Sequence, residues 1–134
     1  EMQLLIIIGK ILSVCLIGGL SMLKTYEIVD PEGVSCGILT YDTEKDLYEV
    51  DISKDYPIND MPAFLALAAY KGMYHLDNHY ALMFVRERVI PPDRQNIGEI
   101  LRIIGAPYYT EFVILDYLRG RCVRDDFTLR EITQ

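Results

Sequence analysis

Three early stretches, Thr25–Val29, Val34–Tyr41 and Leu47–Ile52, are rich in Val, Ile, Tyr and Thr, residues that suit a pleated, half-buried surface. In the third, Tyr48, Val50 and Ile52 alternate with Glu49 and Asp51, so one face packs and the other meets water. Asp30-Pro31-Glu32-Gly33 separates the first two stretches. Proline pre-sets φ there and glycine accepts the left-handed conformation, so the four residues predict a turn. Asp42 to Asp46 is a second polar connection. Together these predict an antiparallel meander whose open face holds much of the acid.

From Asp60 onward the apolar residues follow a helical rather than a strand period. Asp60 is placed to cap a helix with Pro62 in its first turn, where proline is tolerated. Phe64–Ala69 is apolar nearly all round, which predicts a helix buried against the sheet and ending near Gly72. Asp77 or Asn78 starts a second helix through Tyr80–Val85, closing in Arg86-Glu87-Arg88 before Pro91-Pro92 breaks the chain. A third is expected from about Arg94 to Ile104, with Ile97, Ile100, Leu101 and Ile104 as its stripe and Gly105 as its stop. Thr110 caps a fourth, in which Phe112, Val113, Leu115 and Leu118 are apolar and Gly120 follows. The tail from Cys122 is short and charged, either a helical turn or an extended segment. The expected fold class is α+β: an N-terminal three-stranded antiparallel meander followed by a cluster of about four short helices. Residues 22–134 form the single domain.

Residues 1–21 fall outside that domain. Leu4–Leu20 is broken only by Lys10, Ser13 and three glycines, yet it is at the short limit for a membrane span. It also lacks the positive start and small-residue cleavage site of a signal peptide. Gly18-Gly19 is encoded by GGN-GGN, which can form a bacterial ribosome-binding site just ahead of the Met22 codon. The segment therefore reads as upstream DNA translated in error; the alternative is a membrane anchor through Leu4–Leu20.

The net charge of −7 is uneven. From Met22 to Asp60 three lysines face ten acids, whereas from Met61 onward Lys71 and eight arginines balance nine acids. A negative field repels phosphates, which disfavours direct nucleic-acid binding. Three cysteines, Cys15, Cys36 and Cys122, fit neither a paired framework nor a zinc spacing. Free thiols point to a reducing, cytoplasmic setting.

Candidate chemistry is sparse. His75 and His79 are four apart, as zinc ligands on one helix face are, but Asp77-Asn78 between them predicts a helix entry instead. Cys122 sits among Arg119, Arg121 and Arg124, a setting able to lower a thiol's pKa; the favoured reading is a half-buried thiol. The loop from Asp42 to Asp46 lacks the ligand spacing of a calcium site. No nucleophile elbow, phosphate-binding loop, dinucleotide fingerprint or zinc-protease motif occurs. No catalytic residue, metal or cofactor is expected, and no enzymatic activity.

The most distinctive stretch is Arg88-Val-Ile-Pro91-Pro-Asp-Arg94-Gln95-Asn-Ile97, followed by Gly105 and then by Gly120-Arg121-Cys122-Val123-Arg124-Asp125-Asp126-Phe127. The prolines make a rigid corner that aims Arg94, whose planar guanidinium suits a bidentate carboxylate bond. Asp125 or Asp126 is the expected acceptor, tying corner to tail; the alternative is that Arg94 recognises a partner. Over Arg88–Phe127, about 40 residues, the chain resembles the module ahead of the kinase core in bacterial HipA-like toxin proteins. Arg88, Ile90, Pro91, Arg94, Gln95, Ile97, Gly105, Gly120, Asp125 and Phe127 fall in register, with Cys122 where that pattern has serine. The kinase machinery itself is absent from these residues.

The resemblance implies a stand-alone accessory module that docks on a kinase-like toxin or another protein, in a toxin–antitoxin or mobile-element setting. Arg88, Pro91, Arg94, Gln95, Asp125, Asp126 and Phe127 are the candidate structural or partner-contact residues. Two other expectations stand beside it. One is a small membrane-anchored protein, if residues 1–21 are translated. The other is an acidic inhibitor or DNA mimic.

Overall fold

The computed structural model describes residues 23–132; the expectations for residues 1–21 lie outside them. Strands β1 (Leu23–Val29), β2 (Ser35–Asp42) and β3 (Leu47–Ile52) form the expected antiparallel meander. Four helices follow: α1 (Ala63–Tyr70), α2 (Asn78–Arg86), α3 (Ile97–Ile104) and α4 (Glu111–Leu118). The fold class is thus α+β as expected. Two further short strands, β4 (His75–Leu76) and β5 (Thr128–Glu131), widen the sheet to the order β4-β3-β2-β1-β5, antiparallel throughout.

Pattern and register agree in the meander. Tyr26, Leu39, Val50 and Leu76 stand side by side across four strands and are all buried. The neighbouring row on the opposite face runs Arg130, Glu27, Ile38, Asp51, His75. Opposite charges meet at both ends of this row: Arg130 Nη2 lies 2.6 Å from Glu27, and His75 Nδ1 2.7 Å from Asp51. The acid, however, is not concentrated on the open face. Of the ten acids from Met22 to Asp60, Glu27, Glu49 and Asp51 are on strands facing solvent. Most others build turns. Asp30 Oδ1 accepts from the amides of Glu32 and Val34, and Asp42 Oδ1 from those of Glu44 and Lys45. Short carboxylates fold a chain back in this way.

Beyond the two residues of β4, the free side of β3 is partly covered, and so is the β5 edge. Along β3, the Tyr48 amide donates to Asn78 Oδ1 at 2.8 Å, and the Ile52 amide to the Tyr74 carbonyl at 2.7 Å. At the other edge, the Leu129 amide donates to the Arg119 carbonyl at 2.7 Å. Edges satisfied like this do not offer a ladder to a foreign strand.

Several boundaries differ from the sequence reading. Asp60 does not cap α1. It closes a 3₁₀ turn over Ile58–Asp60, and Pro62 occupies the cap position without a side-chain bond. Helix α1 buries only one side, Leu65, Ala68 and Ala69, and leaves Leu67 and Tyr70 exposed. Four of its eight residues are alanine, so the run looks more apolar than the area it hides. Helix α3 begins at Ile97 rather than Arg94, because residues 91–96 leave the proline corner as exposed turns. Asp77 and Thr110 do cap their helices, accepting from the amides of Tyr80 and Val113. No helix among the described residues is long and apolar enough to cross a membrane.

Beneath the sheet, the Tyr41 ring is stacked on Phe112 at 4.2 Å and tilted against Tyr48 at 4.6 Å. The Tyr48 hydroxyl is buried with no hydrogen-bond partner among the described residues. An orphaned hydroxyl forfeits its bonds to water. Tyr48→Phe is therefore expected to stabilise the domain by about 1 kcal/mol, seen as a higher urea midpoint at unchanged slope. A lower midpoint would show that the hydroxyl has a partner.

Candidate functional site

Among the described residues Arg88 is the one buried charged side chain, 3% exposed. It follows α2, and its position derives from that helix. Phe84 and Val85 are fully buried, so the end of α2 is pinned against the core and the next side chain on that side points inward. All three nitrogens of the Arg88 guanidinium are then engaged. Nε donates to the Gly120 carbonyl at 2.7 Å, and Nη1 and Nη2 donate to the two oxygens of Asp125 at 2.9 and 2.6 Å. Nη2 also donates to the Phe127 carbonyl at 2.9 Å. Its carbon sits 5.2 Å from the Phe84 ring centre, within cation–π range. Asp125 closes the loop by accepting from the Phe127 amide at 2.9 Å.

Burial alone would raise the Asp125 carboxyl; the Arg88 bonds, with the Phe127 amide, outweigh it and hold the group below the usual carboxylate range. One guanidinium thus ties the end of α2, the glycine after α4 and the entry to β5. Such a pair is costly to bury and costly to break.

This corrects the expected pairing. Arg94 does not bond Asp125 or Asp126; Arg88, on the near side of the prolines, takes Asp125. The reason is where the chain goes. Ile90 is anchored by the Tyr109 hydroxyl, which donates to its carbonyl at 2.8 Å, and Pro91-Pro92 then turns the backbone out to solvent. Arg94 and Gln95 are exposed and line an open concavity with Asn96, Gly98, Glu99 and Arg102. Pro91 and Asp126 are exposed too, while Phe127 is buried and lies edge-on to Tyr56 at 6.0 Å. Of the seven candidates, the structure gathers Arg88, Asp125 and Phe127 and leaves the other four at the surface. Gly120 belongs with the gathered group.

A second feature lies between α3 and α4. An apolar cleft of about 190 Å³ is lined by Ile90, by Ile100, Ile103 and Ile104 of α3, and by Ile114, Tyr117 and Leu118 of α4. Each helix contributes residues n, n+3 and n+4, the spacing that puts three side chains on one face. No residue of α3 is buried, and Ile103 is 75% exposed. Sequence reasoning found an α3 stripe, but periodicity shows that a face is apolar and not what covers it.

Reactive groups are scattered. Cys36 is fully buried, and burial pushes its thiol up to about 12, so it is not poised as a thiolate nucleophile. Cys122 is half-buried. His75 is in β4 against Asp51, and His79 lies edge-on to Tyr80 at 4.8 Å on the first turn of α2. Among the described residues no three His, Cys, Asp or Glu side chains group as a metal site would need. Comparisons with protein-family models, with characterised proteins and with solved structures returned no match.

Proposed function

We propose that this chain is a non-enzymatic protein-interaction module of the bacterial cytoplasm that docks on a partner through its helical half, at the α3–α4 cleft. The observation that carries this reading is the state of α3. An eight-residue helix is too short to be stable alone in water, and most helical stability comes from a packed apolar face. Yet α3 buries none of its residues, while its isoleucines border a cleft walled by α4. A partner's apolar side chains would complete that packing, the arrangement seen where a helix fills a groove.

The partner we propose is a HipA-like kinase toxin, which makes the chain a stand-alone accessory component of a toxin–antitoxin system. Support comes from the residue pattern over Arg88–Phe127. Four of its members, Arg88, Gly120, Asp125 and Phe127, meet around one guanidinium, so that part of the pattern has a physical basis in holding the helical half together. The acidic-inhibitor reading is less favoured, because several early acids are occupied in turns and tyrosine bonds.

The test is binding of the purified kinase from the native host to three forms of the chain. Tyr117 is half exposed on the cleft wall. Tyr117→Asp is expected to weaken binding at least about tenfold, as loss of a central aromatic anchor does, without lowering thermal stability. The surface change Glu49→Lys with Asp51→Lys is expected to leave binding unaltered. No binding of the wild type would overturn the partner assignment. Loss confined to the lysine variant would overturn the docking site in favour of the acidic face.

A further inference from the structure

Strand β4 is two residues long and is the outermost strand beside β3. It is held there at few points. Leu76 stands opposite Val50 and is 1% exposed, and the Ile52 amide donates to the Tyr74 carbonyl at 2.7 Å. The chain leading in passes through exposed Lys71 and Gly72. We propose that His75 is a proton-dependent clasp on this edge: protonated, it holds β4 to β3 through Asp51; neutral, it leaves β4 to open locally more often.

Register sets up the clasp. The amides of Tyr48 and Ile52 both point from β3 toward this edge, and amides alternate along a strand, so Asp51 turns its own amide toward β2. Asp51 and His75, which stand directly opposite, are therefore a non-hydrogen-bonded antiparallel pair, the kind whose side chains are closer. His75 Nδ1 lies 2.7 Å from Asp51 Oδ1. The surrounding charge is one-sided. Glu49 is two residues along β3 on the same face, diagonal to His75, and Asp77, the cap of α2, follows His75 by two residues. From β2, uncharged Ile38 and Thr40 stand opposite Asp51 and Glu49. Lys54, just beyond β3, has its Nζ 5.4 Å from the centre of the Tyr74 ring. The bond to Asp51, with the charges of Asp51, Glu49 and Asp77, outweighs desolvation and holds the imidazole above the usual histidine value.

The direction of the effect follows. A base held above its unfolded value of about 6.5 contributes stability that is fully present below that value and is lost as pH rises through the higher folded one. Both side chains are more than half exposed, and a neutral imidazole can still donate from Nδ1 to the carboxylate. What changes is the charge of an exposed pair, which shifts an opening equilibrium by about two- to fivefold. Opening frees the Ile52 amide, so the β3 edge offers its ladder more often in weakly basic than in weakly acidic solution.

This inference does not rest on the α3–α4 cleft or on any partner, and the experiment contains neither. The full chain is followed by NMR from about pH 5.5 to about pH 8.5, either side of the ordinary histidine value. Two signals are read: the titration of the His75 ring, and exchange of the Ile52 amide corrected for its intrinsic rate, with the Leu129 amide at the opposite edge as reference. In wild type the protection of Ile52 relative to Leu129 is expected to fall about two- to fivefold across the range, in step with the ring titration. His75→Gln, at an exposed position and checked for folding by circular dichroism, is expected to abolish the fall. Asp51→Asn is expected to lower the His75 midpoint and to shrink the fall. A flat ratio in wild type, the same fall in His75→Gln, or a His75 midpoint unmoved by Asp51→Asn would each overturn the proposal.

Discussion

Arg88→Ala is expected to destabilise the domain by about 3–5 kcal/mol, the usual cost of leaving one member of a buried ion pair alone. The change removes four hydrogen bonds at once. It strands the Asp125 carboxylate, whose side chain is 19% exposed, and leaves the carbonyls of Gly120 and Phe127 without that donor. A domain of this size is stable by about 5–15 kcal/mol in all, so the variant should be near unfolding at room temperature. Arg88→Lys is expected to recover little. An ammonium is a point donor and cannot span two carboxylate oxygens and two carbonyls as the planar fork does.

The pH dependence follows from the same contacts. A carboxylate held below its unfolded pKa, about 3.9, contributes stability that is fully present above that value and is lost as pH falls through the lower folded value. Without Arg88 only the Phe127 amide opposes burial, so acid unfolding of the alanine variant should begin at a higher pH than in wild type. Urea titrations across the acid range measure both effects. A loss under about 1 kcal/mol would show that the knot is a surface-grade contact.

Gly120→Ala should rank next. Gly120 has φ +71°, and a Cβ there would lie 2.6 Å from Cγ of Leu129, which is 4% exposed in β5. Left-handed strain and overpacking add, giving roughly 2–4 kcal/mol. The clash also pushes on the carbonyl that Arg88 holds. Gly105 is the internal control. It ends α3 with φ +86°, but nothing lies within 4 Å of an added Cβ, so Gly105→Ala should cost only about 1 kcal/mol of backbone strain. Thermal unfolding of the two variants side by side checks this. Equal losses would mean that the Leu129 contact carries no weight.

Elements governed by local rules were legible before the structure. The meander follows from alternation in β3 and from the turn at Asp30–Gly33, and the caps at Asp77 and Thr110 lie where short polar side chains precede apolar periods. What was not legible depends on distant residues. Strand β5 carries no alternation strong enough to announce it, because Arg130 and Glu131 face outward and Leu129 alone is buried. It is a strand because β1 has an open edge. The choice of Arg88 over Arg94 is of the same kind. Both have planar guanidinium groups and both flank the proline corner, and the prolines were read as aiming the second at a carboxylate of the tail. They turn the chain outward instead, while the buried end of α2 carries the first into the core. Burial, which decides between two arginines, is a property of the packed molecule.

The proposed role needs a helical half that is rigidly held yet incompletely packed. Arg88 provides the first, tying α2, the end of α4 and β5 together. The α3–α4 surface provides the second. Proton–carbon NMR of the isoleucine methyls during titration with the purified HipA-like kinase reads that surface most directly. The account predicts selective shifts and broadening at Ile100, Ile103 and Ile104, with Ile28 and Ile52 of the sheet unchanged. Perturbation centred on Ile38, which sits between Glu27 and Asp51 on the open face of the sheet, with the α3 methyls unmoved, would contradict it.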